Sequence, residues 1–378
     1  NEEEQKYPAS TTKILTAIIA LERLNLTDKL TASYEAVMSI PAGYSNAAIQ
    51  PGETLTFQEL LDMFLIHSAN EVGYILAEHI SGSVEEFANL MNQKALEIGC
   101  TNTHFTNPSG IQDENHYSTA HDMALIAKYC MQNEEFRKVV AKPSCTIAAT
   151  DKYEERYFVN TNDLLRESSK YYYPYAIGIK TGYTSQAKNC LIAASSKDGL
   201  ELITVVLGAQ SLENGDSARN VDTINLFEYG FSNYKFQTIA NQNGIVQEIT
   251  VPNATEDTEN LQLLLKDSIS SIVPANFDLN TLDYEVKLND NLSAPIAQGS
   301  IIGTITYHID GLAYTTDLLA SHDVEKSNLP ILIAQIVLAI LVLFLLAKML
   351  SPKKNNKHLK KKKYKKSKHG TDSIYKFN

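Results

Sequence analysis

Three short groups of polar residues in this sequence carry the side-chain types that acyl-transfer chemistry needs. The first is Ser10-Thr11-Thr12-Lys13, in which a hydroxyl and an amine are three positions apart and therefore share one face of a helix. A serine nucleophile needs a base to take its proton, and a helix N-terminus favours the negative charge that develops. The same spacing also begins at Ser185, Ser232, Ser351 and Ser373. Ser-x-x-Lys alone therefore has no diagnostic value.

Two further groups give the first one a context. Ser68-Ala69-Asn70 is the only Ser-x-Asn in the chain, and the apolar periodicity around it predicts a position inside a helix. Lys180-Thr181-Gly182 is the only Lys-Thr-Gly, and it falls in a run of residues typical of a strand. A glycine in a strand lets another backbone approach closely. The order of the three groups and their settings make chance co-occurrence a poor explanation.

Ser-x-x-Lys on a helix, then Ser-x-Asn, then Lys-Thr-Gly on a strand is the set used by penicilloyl-serine transferases. From residue 7 to residue 210 the chain resembles low-molecular-weight penicillin-binding proteins that act as serine D-Ala-D-Ala carboxypeptidases, the peptidase S11 type. The resemblance rests on the blocks YPASTTKILTA, PGETLT, SANEVG, MNQKALEIGCTNTHFTNPSGI, HYSTAHDMALIA, NTNDLL and IKTGYT. It implies a carboxypeptidase that needs no cofactor and no metal, and that binds β-lactam inhibitors.

The resemblance also implies the catalytic roles. Ser10 would attack the carbonyl between the two terminal D-alanines of a peptidoglycan stem peptide, and an acyl-enzyme would form as D-Ala leaves. Lys13 would be the general base, which requires a neutral amine, and burial together with the nearby cation Lys180 would lower its pKa. Ser68 would relay a proton to the leaving amine.

The substrate-binding roles follow from the same resemblance. Asn70 would hold the base and the substrate amide, and Lys180 with Thr181 would bind the terminal carboxylate of the substrate. The backbone N–H groups of Ser10 and Tyr183 would form an oxyanion hole. The implied substrate-binding positions are Asn70, Lys180, Thr181, Gly182 and Tyr183.

The sequence departs from the family pattern at three places. Glu71 follows the Ser-x-Asn group where the family usually has Asp, and Lys188 stands where the family often has Gly. Only nine residues precede Ser10, whereas family members have about twenty or more, which form the first strands of the sheet. We therefore expect the catalytic domain to lack its N-terminal strands.

Two alternative functions remain open at this point. A class A β-lactamase shares the three groups, but it deacylates with a Glu in a Glu-x-x-Leu-Asn loop, and no such string occurs between Asn70 and Lys180. A catalytically silent cell-wall-binding scaffold would keep the fold and lose the chemistry. None of the three groups has a substitution that favours this second alternative.

The elements that must position these residues can be predicted from periodicity and from start and stop signals. Helices are predicted at 10–24, 56–80, 83–99, 119–131 and 222–234, and strands at 175–183, 188–196 and 200–210. Residues 197–199, Lys-Asp-Gly, read as a hairpin turn between the last two strands. The fold class is therefore α+β, with helices packed on an antiparallel sheet as in penicillin-binding proteins and serine β-lactamases.

The charge of the chain is divided between two unlike regions. The 378 residues carry a net charge of −11, but the twelve Lys and one Asp after residue 347 give +11, which leaves −22 for the rest. Residues 329–347 are uncharged and almost entirely apolar, and at about 1.5 Å per residue they span roughly 28 Å. We predict a transmembrane helix at 329–347 and, by the positive-inside rule, a basic cytoplasmic tail at 348–378 rather than a nucleic-acid-binding segment.

The domain prediction follows from these patterns. We expect a catalytic domain at 1–235, a small β-sandwich at 236–325 that acts as a spacer or interaction module, and the membrane helix. The catalytic domain would be extracytoplasmic, which implies a signal peptide that has been removed. The four cysteines have no zinc-ligand spacing and are expected to be buried free thiols, and His104, His116 and His121 are expected at the surface or in turns.

Overall fold

The computed structural model describes residues 1–351, which form two compact units. The first unit comprises Asn1–Gln242, Asp267–Glu285 and Ile305–Thr316, and the second comprises Asn243–Lys266, Val286–Thr304 and the chain from Asp317 onward. The predicted basic tail lies outside the described residues from position 352 on. All three groups of polar residues that could carry chemistry belong to the first unit.

The helices of the first unit begin and end at recognisable signals. They are α1 Lys13–Leu21, α2 Tyr34–Met38, α3 Phe57–Asp62, α4 Asn70–Ser81, α5 Val84–Ile98, α6 Ala120–Cys130, α7 Glu134–Val140 and α8 Ala218–Asn233. Thr56 and Glu59 form a reciprocal capping box at the start of α3. Ser83 caps α5, which ends at Gly99 in the left-handed conformation, φ +104°.

Helix α1 is the centre of the helical core. Ile14, Leu15, Ile18 and Ile19 are all at most 2% exposed, because a helix that is apolar on every face can only be stable inside the protein. Helices α4, α5, α6 and α7 surround it. The nucleophile candidate is therefore attached to the most deeply buried helix of the unit.

The strands that precede α8 in the chain form one main sheet and two short pairs. The short pairs are β1 Lys29–Thr31 with β2 Thr54–Thr56, and β3 Ser144–Ile147 with β4 Arg156–Val159. The main sheet consists of β5 Ala176–Thr184, β6 Lys188–Lys197 and β7 Leu200–Ala209, antiparallel and in that order. Alternate residues of β6 face opposite layers: Ile192 and Ala194 join the helical core, whereas Leu191 and Ala193 pack with Phe227 of α8.

The predicted helix over 56–80 is wrong as a single element. The structure divides it into α3, a π-helical turn at Met63–His67, and α4. Ser68 lies at the break with φ +72°, and the chain changes direction there. Helix 10–24 also differs, because it begins with a 3-10 turn at Ala9–Thr12 and ends at Leu21.

The C-terminal part of the described chain is rich in β-structure, as predicted. β8 Tyr234–Ala240 pairs with β11 Ile269–Pro274 in a ribbon. A separate sheet consists of β9 Ile245–Thr250, β10 Asn260–Leu265, β12 Asp283–Leu288, β13 Ile301–Ile309 and β14 Leu312–Ala320. The strand order in this sheet is β12-β13-β14-β10-β9. The last element is α9, Leu329–Leu350, which is long and apolar enough to cross a membrane.

Candidate active site

Ser10 lies in the 3-10 turn that leads directly into α1. Thr11 fixes this turn, because its backbone N–H and its hydroxyl both donate to the Pro8 carbonyl, at 3.2 and 2.7 Å. Ser10 is half-buried, whereas its neighbours Ala9 and Thr11 are buried. The backbone of the nucleophile candidate is thus held rigidly while its hydroxyl still reaches a cavity.

Lys13 is the first residue of α1 and is completely buried. Its Nζ lies 2.9 Å from Ser10 Oγ, 2.7 Å from Asn70 Oδ1 and 2.6 Å from the carbonyl oxygen of Ser109. Burial, and secondly the charge of Lys180, hold the pKa of Lys13 well below its usual range. The amine is therefore set up to be neutral and in direct contact with the hydroxyl.

The three partners of Lys13 determine where its lone pair points. A neutral amine has two hydrogens and one lone pair, and the oxygens of Asn70 and Ser109 can only accept. They take the two hydrogens, so the lone pair is left facing Ser10 Oγ. This arrangement is what a general base for a serine nucleophile requires.

Ser68 and Asn70 come from the junction between the π-helical turn and α4. The left-handed backbone of Ser68 and the start of α4 at Asn70 bring both side chains to the cavity that contains Ser10. Asn70 Nδ2 donates to the Ser45 carbonyl at 2.7 Å, while its Oδ1 accepts from Lys13. Asn70 therefore connects the base to the loop that contains Ser45.

The Lys-Thr-Gly group lies on β5, and Lys180 is 1% exposed. Its Nζ donates to the carbonyl of Thr181 at 3.1 Å, and Thr181 Oγ1 donates to Thr161 Oγ1 at 2.6 Å. Burial, and secondly the charge of Arg219, lower the pKa of Lys180 to about 7. No carboxylate is bonded to Lys180 within residues 1–351, so its charge is available to an anionic ligand.

Gly182 allows β5 to pass close to the nucleophile turn. A Cβ at this position would lie 3.0 Å from both the Pro8 carbonyl oxygen and the Ser10 backbone nitrogen. The next residue, Tyr183, is 61% exposed at the cavity rim. The close approach places the backbone amides of Ser10 and Tyr183 on adjacent segments, as an oxyanion hole needs.

A single cavity of about 550 Å³ joins these groups. It is lined by Ser10, Ser68, Asn70, Thr181, Gly182 and Tyr183, together with the 42–45 loop, residues 184–186, Thr161 and Arg219. The two lysines lie just behind its wall. A larger, mainly apolar cavity of about 610 Å³ lies among α6, α7 and β7. It contains none of the predicted site residues, so the 550 Å³ cavity is the candidate active site.

Arg219 and Thr161 were not singled out in the sequence. Arg219, in the first turn of α8, lines the cavity, and its buried Nε has no partner within residues 1–351. Burial lowers the pKa of Arg219. Thr161 lies within the block NTNDLL, which was a signal for its importance, whereas Arg219 lies outside every block that supported the resemblance.

Sequence reasoning also missed the loop that supports Lys13 from behind. Asn107 Oδ1 accepts from the backbone N–H groups of Ser109 at 3.2 Å, Gly110 at 2.8 Å and Ile111 at 3.0 Å. This turn aims the Ser109 carbonyl at Lys13, and Ser109 Oγ donates to the Asn70 carbonyl at 2.8 Å. The block TNPSGI is therefore a support for the base.

His116 lies at the end of a turn over residues 113–116, one of the two predicted settings, but it is not at the surface. It is 2% exposed, and its Nε2 is 2.8 Å from Oγ1 of Thr12, the residue before Lys13. Burial lowers the pKa of His116 to about 3, so the imidazole is neutral. The four cysteines are buried free thiols, and the part of the chain that the structure describes has no cluster of metal-binding side chains.

Comparisons with known proteins agree with the fold. Residues 1–211 match the peptidase S11 family model, described as D-alanyl-D-alanine carboxypeptidase, and residues 234–326 match the C-terminal domain of penicillin-binding protein 5. The D-alanyl-D-alanine carboxypeptidase DacF of Bacillus subtilis is 34% identical over 335 residues, which cover 87% of this chain and 82% of DacF. DacC of Escherichia coli is 30% identical and covers 87% of this chain and 80% of its own length.

A solved structure gives the same result. Penicillin-binding protein 5 of Haemophilus influenzae has a TM-score of 0.62 and 28% identity, covering 86% of this chain and 92% of that one. The fold and the serine–lysine site thus define the class as serine acyl-transfer enzymes of the penicillin-binding type. Within that class, the chain belongs to the peptidase S11 family and is a serine-type D-Ala-D-Ala carboxypeptidase, as the sequence predicted.

Proposed function

We propose that the enzyme removes the terminal D-Ala from peptidoglycan pentapeptide stems through an acyl-enzyme on Ser10. The observation that carries this proposal is the 2.9 Å contact between Ser10 Oγ and a buried Lys13 amine whose hydrogens are held by Asn70 and Ser109. Lys13 takes the hydroxyl proton as Ser10 Oγ attacks the carbonyl of the penultimate D-Ala. The oxyanion accepts hydrogen bonds from the backbone amides of Ser10 and Tyr183.

The remaining residues bind the substrate and complete the cycle. Lys180, Thr181 and Arg219 bind the carboxylate of the terminal D-Ala, which is why this end of the cavity has an excess of positive charge. Ser68 passes a proton to the leaving amine as the C–N bond breaks. Water then hydrolyses the ester, releases the shortened stem and restores the Ser10 hydroxyl.

The same proposal covers the cellular arrangement. Residues 1–235 are the catalytic domain and 236–325 the β-rich spacer, which the family matches at 1–211 and 234–326 support. Residues 329–347 cross the cell membrane, with the enzyme on the outer side and the lysine-rich tail in the cytoplasm. The substrate polymer is then on the same side of the membrane as the catalytic cavity.

A pair of assays on the full-length protein in detergent tests the chemistry. We expect a long-lived covalent adduct with labelled penicillin and release of D-Ala from a peptide ending in D-Ala-D-Ala, both lost in Ser10→Ala. The matched control is Ser232→Ala, which removes the serine of another Ser-x-x-Lys, on α8, and should leave both signals intact. Rapid penicillin turnover without D-Ala release would instead identify a β-lactamase, and no adduct with no release would identify a silent scaffold.

A further inference from the structure

Glu71, the residue that follows Asn70, is a buried acid beside the active site. It is the second residue of α4 and is 1% exposed. Its Oε1 accepts from the backbone N–H of Ala47 at 2.6 Å, whereas its Oε2 is buried without a hydrogen-bond partner within residues 1–351. A carboxylate placed in this way is costly unless a positive charge lies nearby.

The hydrogen bond from Ala47 connects Glu71 to a wall of the cavity. Residues 42–45 of the same loop line the cavity. The Ser45 carbonyl accepts from both the backbone N–H and the Nδ2 of Asn70, at 3.0 and 2.7 Å. Glu71 and Asn70 therefore fasten neighbouring parts of one loop to the first turn of α4, and Asn70 in turn holds Lys13.

Electrostatics gives Glu71 a second link to the base. The titratable groups that act on Lys13 from the surrounding elements are Lys180 on β5, His116 in the segment before α6, and Glu71 on α4. Lys180 lowers the pKa of Lys13, whereas Glu71 raises it. Burial raises the pKa of Glu71 itself. The backbone N–H groups of Ala47, Glu71 and Ile49, and lastly the charge of Lys13, oppose that effect.

We propose that Glu71 is a positioning residue for acylation: it fixes the 42–49 loop and stabilises the Lys13 ammonium that forms when Ser10 loses its proton. In this step the proton moves from Ser10 Oγ to Lys13 Nζ, and the electron pair of the O–H bond forms the new bond to the substrate carbonyl carbon. The π pair of the C=O bond moves onto the carbonyl oxygen, which becomes the oxyanion. The positive charge that appears on Lys13 is the missing counter-charge for the half-satisfied Glu71 carboxylate. This inference rests on the proposed roles of Ser10 and Lys13.

Three variants of the full-length protein separate the two parts of this role. Glu71→Gln keeps an oxygen acceptor for the Ala47 N–H and removes the charge, whereas Glu71→Asp keeps the charge and shortens the reach by one methylene. The control is Glu78→Gln, which makes the same substitution two turns later on α4 at a half-buried position. The measurements are kcat/KM for D-Ala release from pH 5 to pH 10, the rate of acylation by labelled penicillin, and the thermal midpoint.

We expect Glu71→Gln to move the acid limb of the pH profile to lower pH by about 0.5 to 1, because Lys13 loses the charge that favoured its protonated form. Glu71→Asp should leave the limb in place and lower the acylation rate by about tenfold, because the loop is no longer fixed. Glu78→Gln should change neither quantity. The proposal would be overturned if the acid limb of Glu71→Gln stayed at the wild-type pH, or if Glu71→Asp were acylated at the wild-type rate.

The outcome also separates this inference from the function on which it rests. If the wild-type protein forms no penicillin adduct and releases no D-Ala, the proposed function fails. If the wild-type protein does both and the Glu71 variants change only the thermal midpoint, Glu71 is a structural residue and the function is unaffected. Because Glu71→Gln and Glu71→Asp perturb the fold differently, the misfolding of one variant leaves the other as a test.

Discussion

Lys180 is held at a position where its charge destabilises the empty enzyme. It is 1% exposed, and burial, together with repulsion by the charge of Arg219, lowers its pKa from 10.5 to about 7. A bound carboxylate would remove the penalty, because it would supply the missing opposite charge. The arrangement therefore sacrifices some stability of the free protein for affinity toward an anionic substrate.

The cost of burying the Lys180 charge predicts that the stability of the folded protein rises with pH. Between about pH 7 and pH 10.5 the unfolded chain binds a proton at Lys180 that the folded chain has released, so the free energy of unfolding rises with pH. Between pH 7.5 and pH 9, we expect the free energy of unfolding of the wild type to rise by about 1 kcal/mol per pH unit relative to that of Lys180→Met. Denaturant unfolding of both proteins in detergent measures the difference.

The comparison with Lys180→Met also removes a competing effect. Burial raises the pKa of the four cysteines, so they reduce stability as pH rises toward and above the pKa of an unfolded thiol. Both proteins contain these cysteines, and their contribution cancels in the difference. Parallel stability curves for the two proteins would show that Lys180 is already an ordinary charged lysine in the folded state.

Arg219 gives a prediction about substrate recognition. Arg219 lines the cavity, and its Nε has no hydrogen-bond partner among residues 1–351. A charged hydrogen bond to the substrate carboxylate contributes about 1.5–3 kcal/mol. We expect Arg219→Gln to lower kcat/KM roughly tenfold to hundredfold for a peptide ending in a free D-Ala carboxylate. The effect on the corresponding C-terminal carboxamide should be small.

The specificity ratio of the two peptides is the informative measurement. Arg137→Gln is the control, since Arg137 forms a partly exposed ion pair with Glu201 and does not line the 550 Å³ cavity. It should keep the wild-type ratio. Equal losses on both peptides in Arg219→Gln would assign Arg219 to the scaffold rather than to carboxylate binding.

At the scale of elements, the nucleophile turn and the 107–111 loop are in close contact. Gly110 has φ +76°, and a Cβ there would lie 1.8 Å from the Ala9 carbonyl oxygen. Gly82, at the end of α4, has nearly the same φ, +79°, but open space around it. The two glycines therefore share a conformational requirement and differ in packing.

We expect Gly82→Ala to cost about 1–2 kcal/mol of stability through backbone strain alone. Gly110→Ala should cost about 1–3 kcal/mol more, because the backbone of Ala9 has to move. That movement also displaces Ser10, so the rate of penicillin acylation should fall in Gly110→Ala and stay near wild type in Gly82→Ala. Thermal midpoints and acylation rates of the two variants check both parts, and equal rates would contradict the coupling.

The same elements explain what the sequence could predict. The three polar groups, the strands that flank the Lys-Asp-Gly turn and the capped helix α5 follow from local patterns, and each corresponds to an element in the structure. Local patterns did not predict the break at Ser68, because apolar periodicity continues through it and the left-handed residue is a serine rather than a glycine. The catalytic geometry depends on that break.

Residues that depend on tertiary contacts were equally hidden. His116 is buried because the segments around Thr12 and Phe105 fold over it, and nothing in its neighbouring sequence indicates this. Arg219 reaches the cavity because α8 packs on β6 and β7 of the sheet that contains Lys180, although α8 and β5 are more than thirty residues apart in the chain. Long-range proximity of this kind requires an alignment or a structure.

At the scale of the whole molecule, α9 differs from every helix of the first unit. It has 22 residues, none of them buried, and its apolar side chains are exposed throughout. At about 1.5 Å per residue it is roughly 33 Å long, enough for a hydrocarbon core of about 30 Å. A core helix of a soluble protein would be mostly buried, so the exposed apolar surface favours a membrane span.

The proposed orientation leads to the last prediction. Residues 348–378 contain twelve Lys and one Asp, and lysines next to a membrane span favour the cytoplasmic side. A protease added to intact cells should therefore digest residues 1–328 and spare a C-terminal epitope tag. A cytoplasmic marker protein that stays undigested is the control for intact cells. Replacing the tail lysines by Gln removes the charge that sets the orientation, so a fraction of the molecules should then expose the tag. The opposite result would be a wild-type protein whose tag is digested in intact cells and whose residues 1–328 resist the protease until the cells are lysed. That result would reverse the proposed topology and place the catalytic cavity on the side away from the cell wall.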